Sequence, residues 1–195
     1  VQLNFAAVGA APRAASGFGA FFVLGIEHIL LGYDHLLFLF ALLLAPARWQ
    51  AVVKIVTAFT LAHSVTLALT ALDVLRLPSV LVEAVIAASI AYVAAENLWA
   101  RIPLSRRVWV TPLFGLVHGC GFASVLRDIG LPAGGLWPAL IGFNVGVEAG
   151  QIAVILLVLP LLHGIRRLPR ATGVSAMLSA GVCTVGVWLL LERVV

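Results

Sequence analysis

Residues 25–44 read "GIEHILLGYDHLLFLFALLL", and this stretch decides how the chain is to be understood. Its second half, from Leu36 to Leu44, could sit at the centre of any membrane-spanning helix. Its first half places Glu27, His28, Asp34 and His35 in the same apolar run. An ionised carboxylate at the centre of a bilayer costs about 2.5–3.5 kcal/mol even on lenient insertion scales. Groups of this kind are tolerated there when they face one another, face water, or hold a cation.

The remainder of the chain supplies the membrane context. Of 195 residues, 63% are hydrophobic and 10% charged, with a mean hydropathy of +1.14. Soluble domains carry about 25% charged residues, so no soluble class competes with a polytopic membrane protein. Crossing the hydrocarbon core takes about 20 apolar residues. Six runs meet that length, at 18–45, 51–72, 80–99, 108–126, 136–161 and 174–191. Between them lie short connections with the chain breakers: "APARWQ", "DVLRLPS", "ARIPLSRR", "RDIGLPAGG" and "HGIRRLPRATG". The expected fold is all-α, a six-helix transmembrane bundle over residues 18–195, with residues 1–17 as an external tail. The first and fifth runs exceed the minimum, so each is expected to tilt or to extend beyond the lipid.

The basic residues set an orientation. Connections one, three and five, with their helix ends, hold Arg48, Lys54, Arg101, Arg106, Arg107, Arg166, Arg167 and Arg170. The other side holds Arg13, Arg76, Arg127 and Arg193. Eight against four places the odd connections in the cytoplasm and both termini outside. The net charge of +4 is therefore topology information. It is not a nucleic-acid footprint, because the basic groups are not gathered with aromatics on one surface. Two cysteines, Cys120 and Cys183, lie inside apolar runs without Cys-x-x-Cys spacing, so neither a disulfide framework nor a thiolate metal site is expected.

Depth then sorts the polar groups. His28, Asp34 and His35 lie within a turn or so of the midpoint of the first run. His63 lies at the middle of the second, His118 of the fourth and Glu148 of the fifth. Asn144 and Gln151 flank Glu148 in an i, i+4, i+7 stripe, and Gly32 lies between the two first-run histidines. Four helices therefore carry their costly groups at one level. On the third helix Glu83 falls near the outer end, and Glu96 and Asn97 near the inner end. Imidazole nitrogen with carboxylate oxygen is a ligand set for Ni²⁺, Co²⁺, Zn²⁺ or Cu²⁺.

Plainer roles stand beside these. A mid-membrane histidine such as His63 serves equally as a helix–helix hydrogen-bond donor, and Gly115, Gly119 and Cys120 around His118 serve close helix packing. Glu96–Asn97 reads also as a solvated helix end, His163 as a surface residue and Cys183 as a small core residue. Four ionisable groups within nine residues of the first run have no such packing explanation.

The pattern His28-x5-Asp34-His35 resembles the signature of the nickel permease family associated with hydrogenase and urease maturation (HupE/UreJ). The segments "KIVTAFTLAHSVTLALTAL", "VEAVIAASIAYVAAENL", "FGLVHGCGFASVLRDIGLP" and "FNVGVEAGQ" follow in the order of that family's helices, so the likeness runs from about Phe18 to Gln151. The resemblance implies a multi-pass protein of the bacterial inner membrane that handles Ni²⁺ or a similar transition metal, with His28, Asp34 and His35 as essential groups. Nickel-specific members have a second histidine in the fourth-helix signature, where "HGCGFA" has His118 alone.

Two functions follow. In the first, the chain is a divalent transition-metal permease, and a partly dehydrated cation is its substrate. The cation binds at the midplane among His28, Asp34, His35, His63, His118 and Glu148. Glu27, Asn144 and Gln151 act in support, and Glu83, Glu96 and Asn97 line the flanks. In the second, three imidazoles and a carboxylate hold zinc for a membrane-embedded hydrolase, with Ser64, Asp34 or Glu148 as nucleophile or base. Groups on both flanks favour transport. The expected partners are the metal ion and the lipid bilayer, with no nucleic acid; a homo-oligomer is compatible with the sequence. No Walker motif is present, so ATP is not expected to be used by this chain itself.

Overall fold

The computed structural model describes residues 17–45, 48–99, 104–122 and 135–195. The expected tail (residues 1–16 of it), Arg13, Arg101, Arg127 and the end of the fourth run lie outside the described residues. Those described form seven helices and no strand: α1 (Phe18–Leu31), α2 (Tyr33–Leu44), α3 (Trp49–Ala71), α4 (Ser79–Trp99), α5 (Leu104–Gly121), α6 (Leu136–Ile165) and α7 (Ala171–Val194). Helices α3, α4, α6 and α7 are each long and apolar enough to cross a membrane. A fifth candidate is the pair α1 and α2, bent by 68° at its break.

The first apolar run is thus two helices, not the single long one its length suggests. Gly32 is the joint, at φ −78° and ψ 87°. A β-carbon at Gly32 would press on the His28 carbonyl oxygen and lie 3.0 Å from His35 Nδ1, so the bend needs glycine there. The fourth run also differs from expectation. Helix α5 starts at Leu104 and ends at Gly121, which draws Arg106 and Arg107 into its first turn, and it is not among the candidate spans.

Glycine seams show how the helices pair. Gly142, Gly146 and Gly150 of α6 meet the backbone of Phe18, Phe22 and Ile26, and Gly25 of α1 rests on Phe143 and Val147. Helices α1 and α6 therefore run parallel, with backbones close enough that a β-carbon at Gly146 would collide with the Phe22 carbonyl. In lipid, close approach of backbones replaces the hydrophobic drive that joins helices in water. Gly115 and Gly119 do the same for α5 against Phe59 and His63 of α3, again parallel. Gly186 of α7 packs on Ala91 of α4, and Arg193 bonds Glu83, so this third pair is antiparallel.

Two apolar cores result, stacked along the bundle. One gathers Phe38–Leu44, Val52–Phe59, Ile90–Ala94, Ile155 and Leu162, toward the end carrying Arg48, Arg106, Arg107, Arg166 and Arg167. The other gathers Phe21, Ile29, Leu67, Phe122, Leu140, Phe143 and Val147 toward the opposite end. The histidine level lies between them.

All five tryptophans are exposed and sit near helix ends. Trp49, Trp99 and Trp109 mark the basic end, and Trp137 and Trp188 the other. This is the aromatic girdle of a membrane protein, where an amphipathic ring sits at headgroup level.

Short α2 is anchored at its basic end. Arg166 donates to the carbonyls of Leu43 (2.8 Å), Leu44 (3.3 Å) and Ala45 (2.9 Å), taking up carbonyls that the helix end leaves unbonded. Asn97 donates to Ala41 O at 2.9 Å beside it.

Candidate metal centre

Four histidines from four helices meet between the two cores. Had α1 and α2 been one straight helix, His28 and His35 would be separated by about 10.5 Å of rise. The bend at Gly32 brings their ring centroids to 4.5 Å. His63 on α3 lies 6.0 Å from His28 and 5.9 Å from His35, and His118 on α5 lies 5.1 Å from His35. Two imidazoles bound to one tetrahedral ion at 2.0–2.1 Å have centroids roughly 5 Å apart. The observed spacing matches that scale.

Phenylalanines close the cluster at both ends. On the side away from the basic end, Phe122 packs edge-on to His28 at 4.3 Å and stacks on Phe143 at 4.8 Å. On the other, Phe38 and Phe59 lie 5.0 and 5.1 Å from His118. His63 and His118 are fully buried, at 0% exposure. His28 and His35 are partly exposed, but Nε2 of each is buried.

Within this box five imidazole nitrogens are buried with no hydrogen-bond partner: His28 Nε2, His35 Nε2, both nitrogens of His63, and His118 Nδ1. A buried polar group left unpaired costs about 1–3 kcal/mol, so the cluster is expensive as a packing device. Imidazole nitrogens buried in an apolar layer suit a borderline divalent ion. Among the described residues no three His, Cys, Asp or Glu side chains are yet turned toward a common point. Closing on an ion takes ring rotation, and the histidine χ2 torsion is broad enough to permit it at small cost.

One ring is already set. Ser89 Oγ lies 2.6 Å from the Ile86 carbonyl, an acceptor only, so its proton goes there. The serine oxygen therefore accepts from His118 Nε2 at 3.1 Å, which puts the ring proton on Nε2 and leaves the Nδ1 lone pair free. Outer hydrogen bonds of this kind fix the tautomer and orientation of metal-binding histidines. Ser89 was not singled out by the sequence; a serine midway along α4, between Glu83 and Glu96, is the signal that could have found it.

The carboxylates lie elsewhere. Both oxygens of Asp34 are held by Arg193 Nη2, at 2.9 and 2.8 Å. Glu148 Oε1 accepts from Thr57 at 2.7 Å, and Gln151 Oε1 from Thr60 at 2.7 Å, so these two form a polar seam between α3 and α6. Asn144 turns back on its own helix to Leu140 O at 2.8 Å, leaving Oδ1 buried and unpaired. Glu27 and Glu83 are exposed.

Glu96 is not a solvated helix end. It is 8% exposed, 3.9 Å from Arg107, while Arg107 donates to Asn97 Oδ1 at 2.7 Å. His163 is a surface residue beside Arg167. Cys120 and Cys183 are free thiols, and Cys183 packs on the core nearer the basic end.

The family model described as "HupE / UreJ protein" matches residues 6–193. The chain belongs to the HupE/UreJ family. Among curated proteins and among solved structures nothing matches it. As a HupE/UreJ chain it carries the His28-x5-Asp34-His35 pattern on both sides of a helix break, with the two histidines and the aspartate facing different neighbours.

Proposed function

We propose that this HupE/UreJ chain is a permease for a divalent transition metal, with Ni²⁺ the favoured substrate and Co²⁺, Zn²⁺ or Cu²⁺ within the same donor preference. The cation binds among His28, His35, His63 and His118, and Asp34 and Glu148 supply negative charge from either side. The observation that carries this reading is the group of five unpaired imidazole nitrogens, delivered by four helices into one layer between two apolar cores.

Further features support passage rather than storage. A break in a membrane helix at the level of an ion site is a recurring device of secondary transporters. Phenylalanine pairs shut the layer from both ends, so access through either end requires aromatic rings to move. The directions of the helix pairs suit six alternating crossings, with α1/α2 and α5 among them. The basic end is then cytoplasmic and both termini are outside, in a bacterial inner membrane. The hydrolase reading loses support at its nucleophile, since Ser64 donates its hydroxyl to Thr60 O at 2.6 Å.

The test is metal content of the detergent-purified protein by mass spectrometry, with uptake into proteoliposomes, for wild type beside His28→Ala and His63→Ala. Near-stoichiometric metal and uptake in the wild type, both lost in each variant, is the expected result. Tightly held zinc without uptake would favour the hydrolase, and no metal in any form would end the cation reading.

A further inference from the structure

The last helix ends in a residue that lies outside the histidine cluster but reaches its neighbour Asp34. Arg193 lies 159 positions after Asp34, yet its Nη2 spans both oxygens of that carboxylate at 2.8–2.9 Å. The same guanidinium reaches Tyr33 Oη at 3.2 Å and, through Nη1, the Glu83 carbonyl at 2.9 Å. Three helices, α2, α4 and α7, are thus tied by one cation beside the histidine layer. The side chains of Arg193 and Asp34 are 11% and 21% exposed, so solvent screens the pair little.

His35 is the neighbour of Asp34 and points into the cluster, so Asp34 is the carboxylate nearest to it in the chain. Paired with Arg193 it contributes no net charge. A divalent cation among neutral imidazoles would then bring its full charge into an apolar layer with the balance left to Glu148, whose partner is the uncharged Thr57 hydroxyl. A guanidinium beside Asp34 would add repulsion between like charges.

We propose that Arg193 sets the affinity of the histidine cluster by holding the charge of Asp34, so that the substrate cation is bound weakly enough to leave. Asp34 shifts toward the cation when it arrives and returns to Arg193 when it departs, while Tyr33 and Glu83 keep the guanidinium in place. Arg193 is in this sense a positioning residue, acting on the cation through Asp34. A permeation site has to bind well enough to admit its ion and loosely enough to release it.

This inference rests on the cation reading above, and the experiment separates the two. Ni²⁺ affinity is measured by titration calorimetry on the full detergent-purified chain, for wild type, Arg193→Gln, Arg193→Lys and the double variant Asp34→Asn/Arg193→Gln. Arg193→Gln is expected to bind Ni²⁺ about tenfold more tightly, a coupling of ordinary size between neighbouring sites. The gain disappears in the double variant, and Arg193→Lys, which keeps the charge, stays near wild type. In proteoliposomes Arg193→Gln lowers KM and kcat together, because release slows. Unchanged or weaker binding by a folded Arg193→Gln, with the wild type binding normally, overturns the proposal and leaves the cation reading standing. No binding by the wild type overturns both. Should the glutamine variant not purify as a folded helical protein, Arg193→Met removes the charge with an apolar stem and is held to the same outcomes.

Discussion

Nitrogen and oxygen donors are treated in opposite ways in this molecule. The imidazoles of His28, His35, His63 and His118 gather in one layer, with five nitrogens buried and unpaired. The buried and half-buried carboxylates each have a partner: Asp34 has Arg193, Glu148 has Thr57, and Glu96 has Arg107 at 3.9 Å from its Oε2, with Oε1 left unpaired. An ionised oxygen left alone in a dry interior is far costlier than a neutral nitrogen left alone. The fold can therefore hold imidazoles in waiting but has to give its carboxylates a partner from within. Readiness to bind is concentrated on the groups for which waiting is cheap.

This contrast can be broken at its most expensive point first. Arg107→Leu would leave Glu96 buried and uncompensated, and removing one partner of a buried pair costs about 3–5 kcal/mol. A large drop in thermal unfolding temperature in detergent is expected, and a change of under about 1 kcal/mol would mean that Glu96 is reached by water. The next largest effect is expected at the ring that is already set. Ser89→Ala frees His118 to take either tautomer and should weaken Ni²⁺ binding roughly tenfold, within the range seen for outer partners of metal ligands. Unchanged affinity would show that the Ser89 contact does not govern the ring.

The smallest effect separates the two donor types directly. Glu148→Gln keeps an acceptor for the Thr57 hydroxyl and removes only charge, so Ni²⁺ affinity should fall by less than about threefold, far less than in His28→Ala. Equal losses in the two variants would move Glu148 into the ligand set and erase the contrast.

Much of this arrangement was legible in the chain. His28, His35, His63 and His118 could be placed at one depth because each lies near the middle of an apolar run, and depth is a matter of counting residues. The close packing at Gly115 and Gly119 could be expected from small residues alone. Orientation about each helix axis is not encoded by depth. Asp34 and His35 are adjacent in sequence and thus about 100° apart around α2, so they face different neighbours, and nothing local says which. Arg193 sits beside Glu192 at the end of the last run, and only tertiary contact reveals that its partner is Asp34. The bend at Gly32 was hidden for a related reason: a glycine in an apolar run is compatible with a straight helix, and the contacts around α1 and α2 decide otherwise. The tryptophan girdle was there to be read, since all five residues fall near the ends of the apolar runs.

The parallel seam between α1 and α6 bears on how the molecule is made. Gly25 has its contact surface at Phe143 and Val147, more than a hundred residues later in the chain. Helix α1 therefore has no seam with α6 to close until α6 has been synthesised. Phe143, which packs against His28 at 5.3 Å, arrives with that same helix. The histidine layer is consequently completed late in biogenesis, and a nascent chain cut short before α6 has the four imidazoles but lacks part of the wall that keeps them dry.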